Sequence, residues 1–150
     1  MGNTKAIGVA YSDQDIDGGT IGAVIPSTIV GTTIYATTEI GYSAAAQGTV
    51  TQATSKSTAV TLNKSAGQIT MNNASLATAT NATFTLNNSL ISANDAVILT
   101  IAGGQTTPGS YNIFANSLAS GSVSITLRNI SGGTLSEAIV INFAIIHCTV

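Results

Sequence analysis

Charge is the scarcest property of this sequence. Lysine plus arginine number 4 and aspartate plus glutamate 6 in 150 residues, so charged side chains make up 7%, against about 25% in an ordinary soluble domain. The four bases, Lys5, Lys56, Lys64 and Arg128, are scattered and form no stripe that would neutralise phosphates, which argues against a nucleic-acid partner. One cysteine, Cys148, excludes an intrachain disulfide and a multi-cysteine metal site. Tryptophan is absent, and 4 tyrosines with 3 phenylalanines are the whole aromatic complement. Mean hydropathy is +0.39, yet no apolar run reaches the ~18 residues of a spanning helix. The longest, "EAIVINFAIIHCTV", is interrupted by Asn142 and His147, so no membrane partner is expected. The opening "MGNTKAIGVAYSDQD" has one lysine, no sustained apolar core and acids where a cleavage region would lie, so synthesis in a cytosol without general export is expected.

What remains is abundant in hydroxyls, amides and β-branched carbons. With 44% hydrophobic residues and a formal net charge of -2, the chain is too apolar and too weakly charged for disorder. From about residue 48 the apolar residues alternate with period two, the signature of strands with one face in a core. "GTVTQ", "TAVTL", "GQITM", "ATFTLNN", "AVILTI", "SYNIFAN", "SVSITLR" and "EAIVINFAII" all read this way. Val123, Ile125 and Leu127 share one face, as do Ile139, Ile141, Phe143 and Ile145. The opposite face of the last strand, with Val140, Asn142, Ala144 and Ile146, is too apolar for open solvent, so a covering neighbour is expected there. Clusters such as "NKSAG", "AGGQTTPGS" and "NISGGTLS" supply turns. Short strands separated by turns predict an all-β fold: a β-sandwich with Greek-key or jelly-roll connections. "NNASLATAT" is compatible with a short helical turn.

The organisation changes at the start of this pattern. Residues 48–150 form the sandwich, and residues 1–47 read as an extended arm with brief edge strands. Ile21, Val24, Ile25, Ile29, Ile34 and Tyr35 make the arm too apolar to stand in water, so it is expected to lie on its own core or on another subunit.

Few residues offer chemistry. Asp13, Asp15, Asp17 and Gly18 match the opening of a calcium loop, but the twelfth position is Val24 rather than the closing Glu, and a solvated acidic turn is the simpler reading. His147 and Cys148 are neighbours, but in a strand adjacent residues point to opposite faces, so a packed or frayed strand end is expected. Gly132 and Gly133 lack the lysine and helix of a phosphate cradle and read as a hairpin loop, with Glu137 opening the last strand. Arg128 and Glu137 would flank that loop, either paired across it or facing another subunit. No acid, base and nucleophile set is visible, and neither an enzyme nor a cofactor is expected.

The stretch "GTVTQATSKSTAVTLNKSAGQITMN", with "LRNISGGTLSEAIVINFAII" near the end, resembles a module of tailed-bacteriophage virion structural proteins. The arm sequences "SDQDIDGGTIG" and "IPSTIVGTTIYATT" are similar to segments of phage fibre and head-associated proteins, although "TTIYATT" stands where phenylalanine is usual. The resemblance implies a capsid decoration (cement) protein, a homotrimer seated on the major capsid protein lattice at the virion surface. Its interface would draw on the arm residues named above and on Arg128, Glu137, Val140 and Asn142. The alternative it implies is a receptor- or glycan-binding head or tail fibre module. In that reading "AGGQTTPGS" and "NSLASG" would bind, with Tyr42 and Tyr111 displayed, although the lack of tryptophan weakens it.

Overall fold

The computed structural model describes Thr33 and residues 35–148. Two units divide the chain between Glu39 and Ile40. Of the expected arm, Ile21, Val24, Ile25, Ile29 and Ile34 lie outside the described residues, as do Asp13, Asp15 and Asp17. Residues 35–39 form no strand, and the Tyr35 side chain is exposed.

In the second unit the period-two pattern becomes eight strands: β1 (Gln47–Thr51), β2 (Val60–Thr61), β3 (Ala66–Thr70), β4 (Asn81–Asn87), β5 (Ala96–Gly103), β6 (Tyr111–Ala119), β7 (Ser122–Asn129) and β8 (Val140–Ile146). Among the described residues one 3-10 turn, Ala44–Ala46, precedes them. The strands make two four-stranded sheets, one ordered β1-β3-β8-β5 and the other β2-β4-β7-β6. Between them lies one core, in which Ile69, Leu86, Val123, Ile125, Leu127, Ile139, Ile141 and Ile145 are fully buried. Each such side chain contributes roughly 1.5–3 kcal/mol relative to exposure. The protein is a β-sandwich.

The connections are jelly-roll-like in passing from sheet to sheet at nearly every step. Only β6 and β7, joined through Ser120 and Gly121, are consecutive neighbours within one sheet. Because the first four strands alternate between sheets, β1 lies parallel to β3 and β2 parallel to β4, whereas the other pairings are antiparallel. The β1–β3 pair is close where Gly48 lies beside Gly67: a Cβ on Gly67 would meet the Gly48 carbonyl oxygen at 2.5 Å.

Two loop expectations are corrected. "NNASLATAT" forms no helix. Leu76 bridges to Leu135, and one turn closes from Thr80 N–H to the Ala77 carbonyl. The Gly132–Gly133 segment is not a hairpin loop either, because β7 and β8 belong to different sheets. Asn129 redirects the chain. Its fully buried amide donates to the carbonyls of Leu76 (2.9 Å) and Gly133 (2.8 Å) and accepts from Ser131 N–H (2.9 Å) and hydroxyl (2.7 Å). Saturating one buried amide in this way makes a sharp crossover where a glycine hairpin was expected.

Candidate functional site: the outer face of the β1-β3-β8-β5 sheet

Alternation that sends Ile141, Phe143 and Ile145 inward necessarily turns Val140, Asn142, Ala144 and Ile146 outward. The same rule on β5 buries Val97, Leu99 and Ile101 in part and exposes Ala96, Ile98 and Thr100. Register places these residues in rows. Ala96 pairs with Ile146, Ile98 with Ala144, and Thr100 with Asn142. Ala66, Gln68 and Thr70 of β3 continue the rows of Ala144, Asn142 and Val140. One half of this face is therefore an apolar patch, with Ile98 50% and Ile146 51% exposed.

Toward β1 the face becomes polar and concave. A cleft of about 650 Å3 is lined by Tyr42, Gln47, Gly48, Thr49, Ala66, Gly67, Gln68, Asn142 and Phe143. Gln68 Nε2 donates to Asn142 Oδ1 at 3.0 Å across the strand pair. Tyr42 reaches over from before β1, its hydroxyl donating to the Ile145 carbonyl, while Gln47 Nε2 donates to the Tyr42 carbonyl at 2.9 Å. The Tyr42 ring stays 38% exposed.

The expected interface residues do not form one surface. Val140 and Asn142 stand on this face, but Arg128 projects from the opposite sheet, in a row with Asn81 and Asn112. Glu137 is half-buried in the crossover before β8 and accepts from Thr106 N–H at 2.6 Å. Hydrogen bonds from the Thr106 side chain and backbone hold its carboxyl below the usual range. Arg128 and Glu137 thus make no pair across a turn, because Arg128 stands on β7 and Glu137 lies in the crossover to the other sheet. Tyr111, which the receptor- or glycan-binding alternative would display, is buried. Its hydroxyl is pushed above its ordinary value by burial and by the Glu137 carboxylate. Ile98 is the member of the patch that the sequence reading overlooked. The signal was there, since it sits out of phase with Val97, Leu99 and Ile101.

The remaining polar groups fasten loops. Lys56 is buried, its ammonium donating to the carbonyls of Asn72 (2.7 Å) and Glu137 (2.5 Å). Burial pulls its pKa below the ordinary lysine value, with the Glu137 charge opposing. His147 and Cys148 follow the end of β8 and share one buried acceptor: His147 Nδ1 lies 3.0 Å from Asp95 Oδ2, and Cys148 N–H donates to Asp95 Oδ1 at 3.3 Å. Ser92 adds its N–H and hydroxyl, both at 2.8 Å. These bonds, the Ser92 N–H foremost, hold the Asp95 carboxyl down at about 2. The arrangement spends His147 and Cys148 N–H on anchoring a strand end. No group of three or more His, Cys, Asp or Glu that would hold a metal occurs among the described residues, and no helix there is long and apolar enough to cross a membrane.

Comparison with protein-family models, curated proteins and solved structures found no match.

Proposed function

We propose that the protein is a non-enzymatic virion subunit, a capsid decoration protein that binds the major capsid protein lattice and stabilises the head. One observation carries the subunit-binding part of this reading: the outer face of the β1-β3-β8-β5 sheet exposes Ile98 and Ile146 in register with Ala144 and Ala96. Clustered apolar residues on a rigid sheet are what association buries. The nature of the partner rests on the sequence resemblance to phage structural proteins. Low charge suits the role, since few ion pairs need to be desolvated when such a surface is covered. Association as a homotrimer would let three weak contacts act together on the lattice, raising overall affinity without a large individual interface.

The experiment is copy number and capsid binding. Purified particles should carry the chain in hundreds of copies, and the isolated protein should bind empty capsids in a manner that Ile98→Asn and Ile146→Asn together abolish. A handful of copies per particle, or capsid binding indifferent to both substitutions, would remove the reading.

A further inference from the structure

The cleft beside Tyr42 has a chemistry unlike that of the apolar patch on the same sheet, and it lies toward the other edge. Among the described residues no charged side chain lines it. Its polar groups are three amides and a hydroxyl, from Gln47, Gln68, Asn142 and Thr49, and its aromatic wall is Tyr42. We propose that this cleft is a binding site for a neutral oligosaccharide. The inference stands apart from the capsid reading and would hold or fail without it.

The amides are paired in a way that leaves complementary groups open. Gln68 donates its Nε2 to Asn142 Oδ1, and on these adjacent strands Gln68 Oε1 has no donor and Asn142 Nδ2 no acceptor among the described residues. Gln47 is likewise fixed through Nε2 to the Tyr42 carbonyl, which leaves its Oε1 as an acceptor. A vicinal diol supplies a donor and an acceptor at each hydroxyl and matches such a set without any charge. An anionic ligand finds no cation among the described lining residues, since Lys64, whose stem passes Gly48, gives its ammonium to the Ala45 carbonyl at 2.8 Å, and a cationic one finds no carboxylate among them.

Tyr42 supplies the second requirement. A sugar presents an apolar C–H face as well as hydroxyls, and an aromatic ring with one polar end can cover that face. The Tyr42 hydroxyl is tethered to the Ile145 carbonyl, so the ring is held before a ligand arrives and loses little freedom on binding. The strands beneath are equally fixed, because Gly48 and Gly67 pack their backbones together over Leu62 and Phe143. A volume of about 650 Å3 lies within the ~300–1,000 Å3 common for small-ligand sites.

The test is an amide-resonance titration of the isotope-labelled full-length chain with three probes at millimolar concentration: maltopentaose, cellopentaose and chitopentaose. At least one should shift resonances of Gln47–Thr49 and Ala66–Gln68. Gln68→Ala and Tyr42→Ala should each weaken it roughly tenfold or more. Gln68→Ala changes an outward side chain and leaves the core intact, so it keeps the test decisive if Tyr42→Ala fails to fold. A highly sulfated oligosaccharide should leave the same resonances unmoved. Three results would overturn the proposal: no probe perturbs the cleft, the shifts map to the Gly104–Ser110 loop instead, or both substitutions leave binding unchanged. Concentration-dependent shifts of the cleft resonances without sugar would overturn it as well, by assigning the cleft to a second copy of the chain. Capsid binding should be unaffected by Gln68→Ala, which separates this site from the apolar patch.

Discussion

The two sheets bury equivalent inner faces and present opposite outer ones. Across β4, β7 and β6 the outward rows run Asn81–Arg128–Asn112, Thr83–Thr126–Phe114 and Thr85–Ser124–Asn116. These are hydroxyls, amides and the Arg128 guanidinium around one exposed aromatic. Across β8 and β5 the corresponding rows are Ile146–Ala96, Ala144–Ile98 and Asn142–Thr100. Both sheets obey the same alternation, so folding alone does not require this difference. A hydroxyl-rich face competes well for water, whereas an aliphatic one gains only when covered. The contrast supports the proposal that a partner sits on the β8–β5 half of this face.

The largest effects should be those that ignore the contrast. Ile141→Ala and Ile125→Ala remove fully buried side chains from opposite sheets, and each should cost about 2–5 kcal/mol in urea unfolding. A large inequality between them would break the symmetry of the inner faces. Next comes Lys56→Met, which strips two loop carbonyls of a charged donor and should cost about 1.5–3 kcal/mol by the same measurement.

Acid should then separate the sheets. Asp95 holds the end of β8 beside the start of β5, and its carboxyl is lowered from 3.8 to about 2. A depressed carboxyl stabilises the fold fully above its unfolded value and loses that contribution as pH falls through the folded one. Protection of the β5 and β8 amides, taken relative to the intrinsic exchange rate at each pH, should therefore fall between pH 3.8 and about 2, ahead of that of β4 and β7. Asp95→Asn should remove that dependence. If all four strands loosen together, Asp95 does not fasten this sheet selectively. The smallest effect belongs to the hydroxyl face. Thr83→Val leaves the buried Thr126 hydroxyl without its 2.8 Å partner, and thermal unfolding should register about 1 kcal/mol.

Period-two alternation made the inner faces legible. Val123, Ile125 and Leu127, and Ile139, Ile141, Phe143 and Ile145, were assigned inward from their spacing and are buried. Partners were not legible, because alternation records which face a residue takes and not which strand lies beside it. The parallel β1–β3 and β2–β4 pairs and the β7-to-β8 crossover were hidden for that reason. Of the candidate site, the outward direction of Val140 and Asn142 was legible from alternation, whereas nothing in the sequence showed that Arg128 stands on the other sheet. The burial of Lys56 was also invisible, since its two carbonyl acceptors lie 16 and 81 residues away. Tyr42 and Tyr111 are one residue type with opposite fates: a tether to Ile145 keeps the first at the surface, and the core takes the second.

Our central proposal is that other subunits bind the apolar half of the outer face of the β1-β3-β8-β5 sheet, over β8 and β5. Its most direct test is binding of the full-length chain to empty capsids, with self-association followed in parallel by light scattering, for the wild type and for Ile98→Asn/Ile146→Asn. The double variant should keep its unfolding free energy within about 0.5 kcal/mol, as surface changes do, yet lose both self-association and capsid binding. Undiminished binding by a correctly folded double variant would contradict the claim.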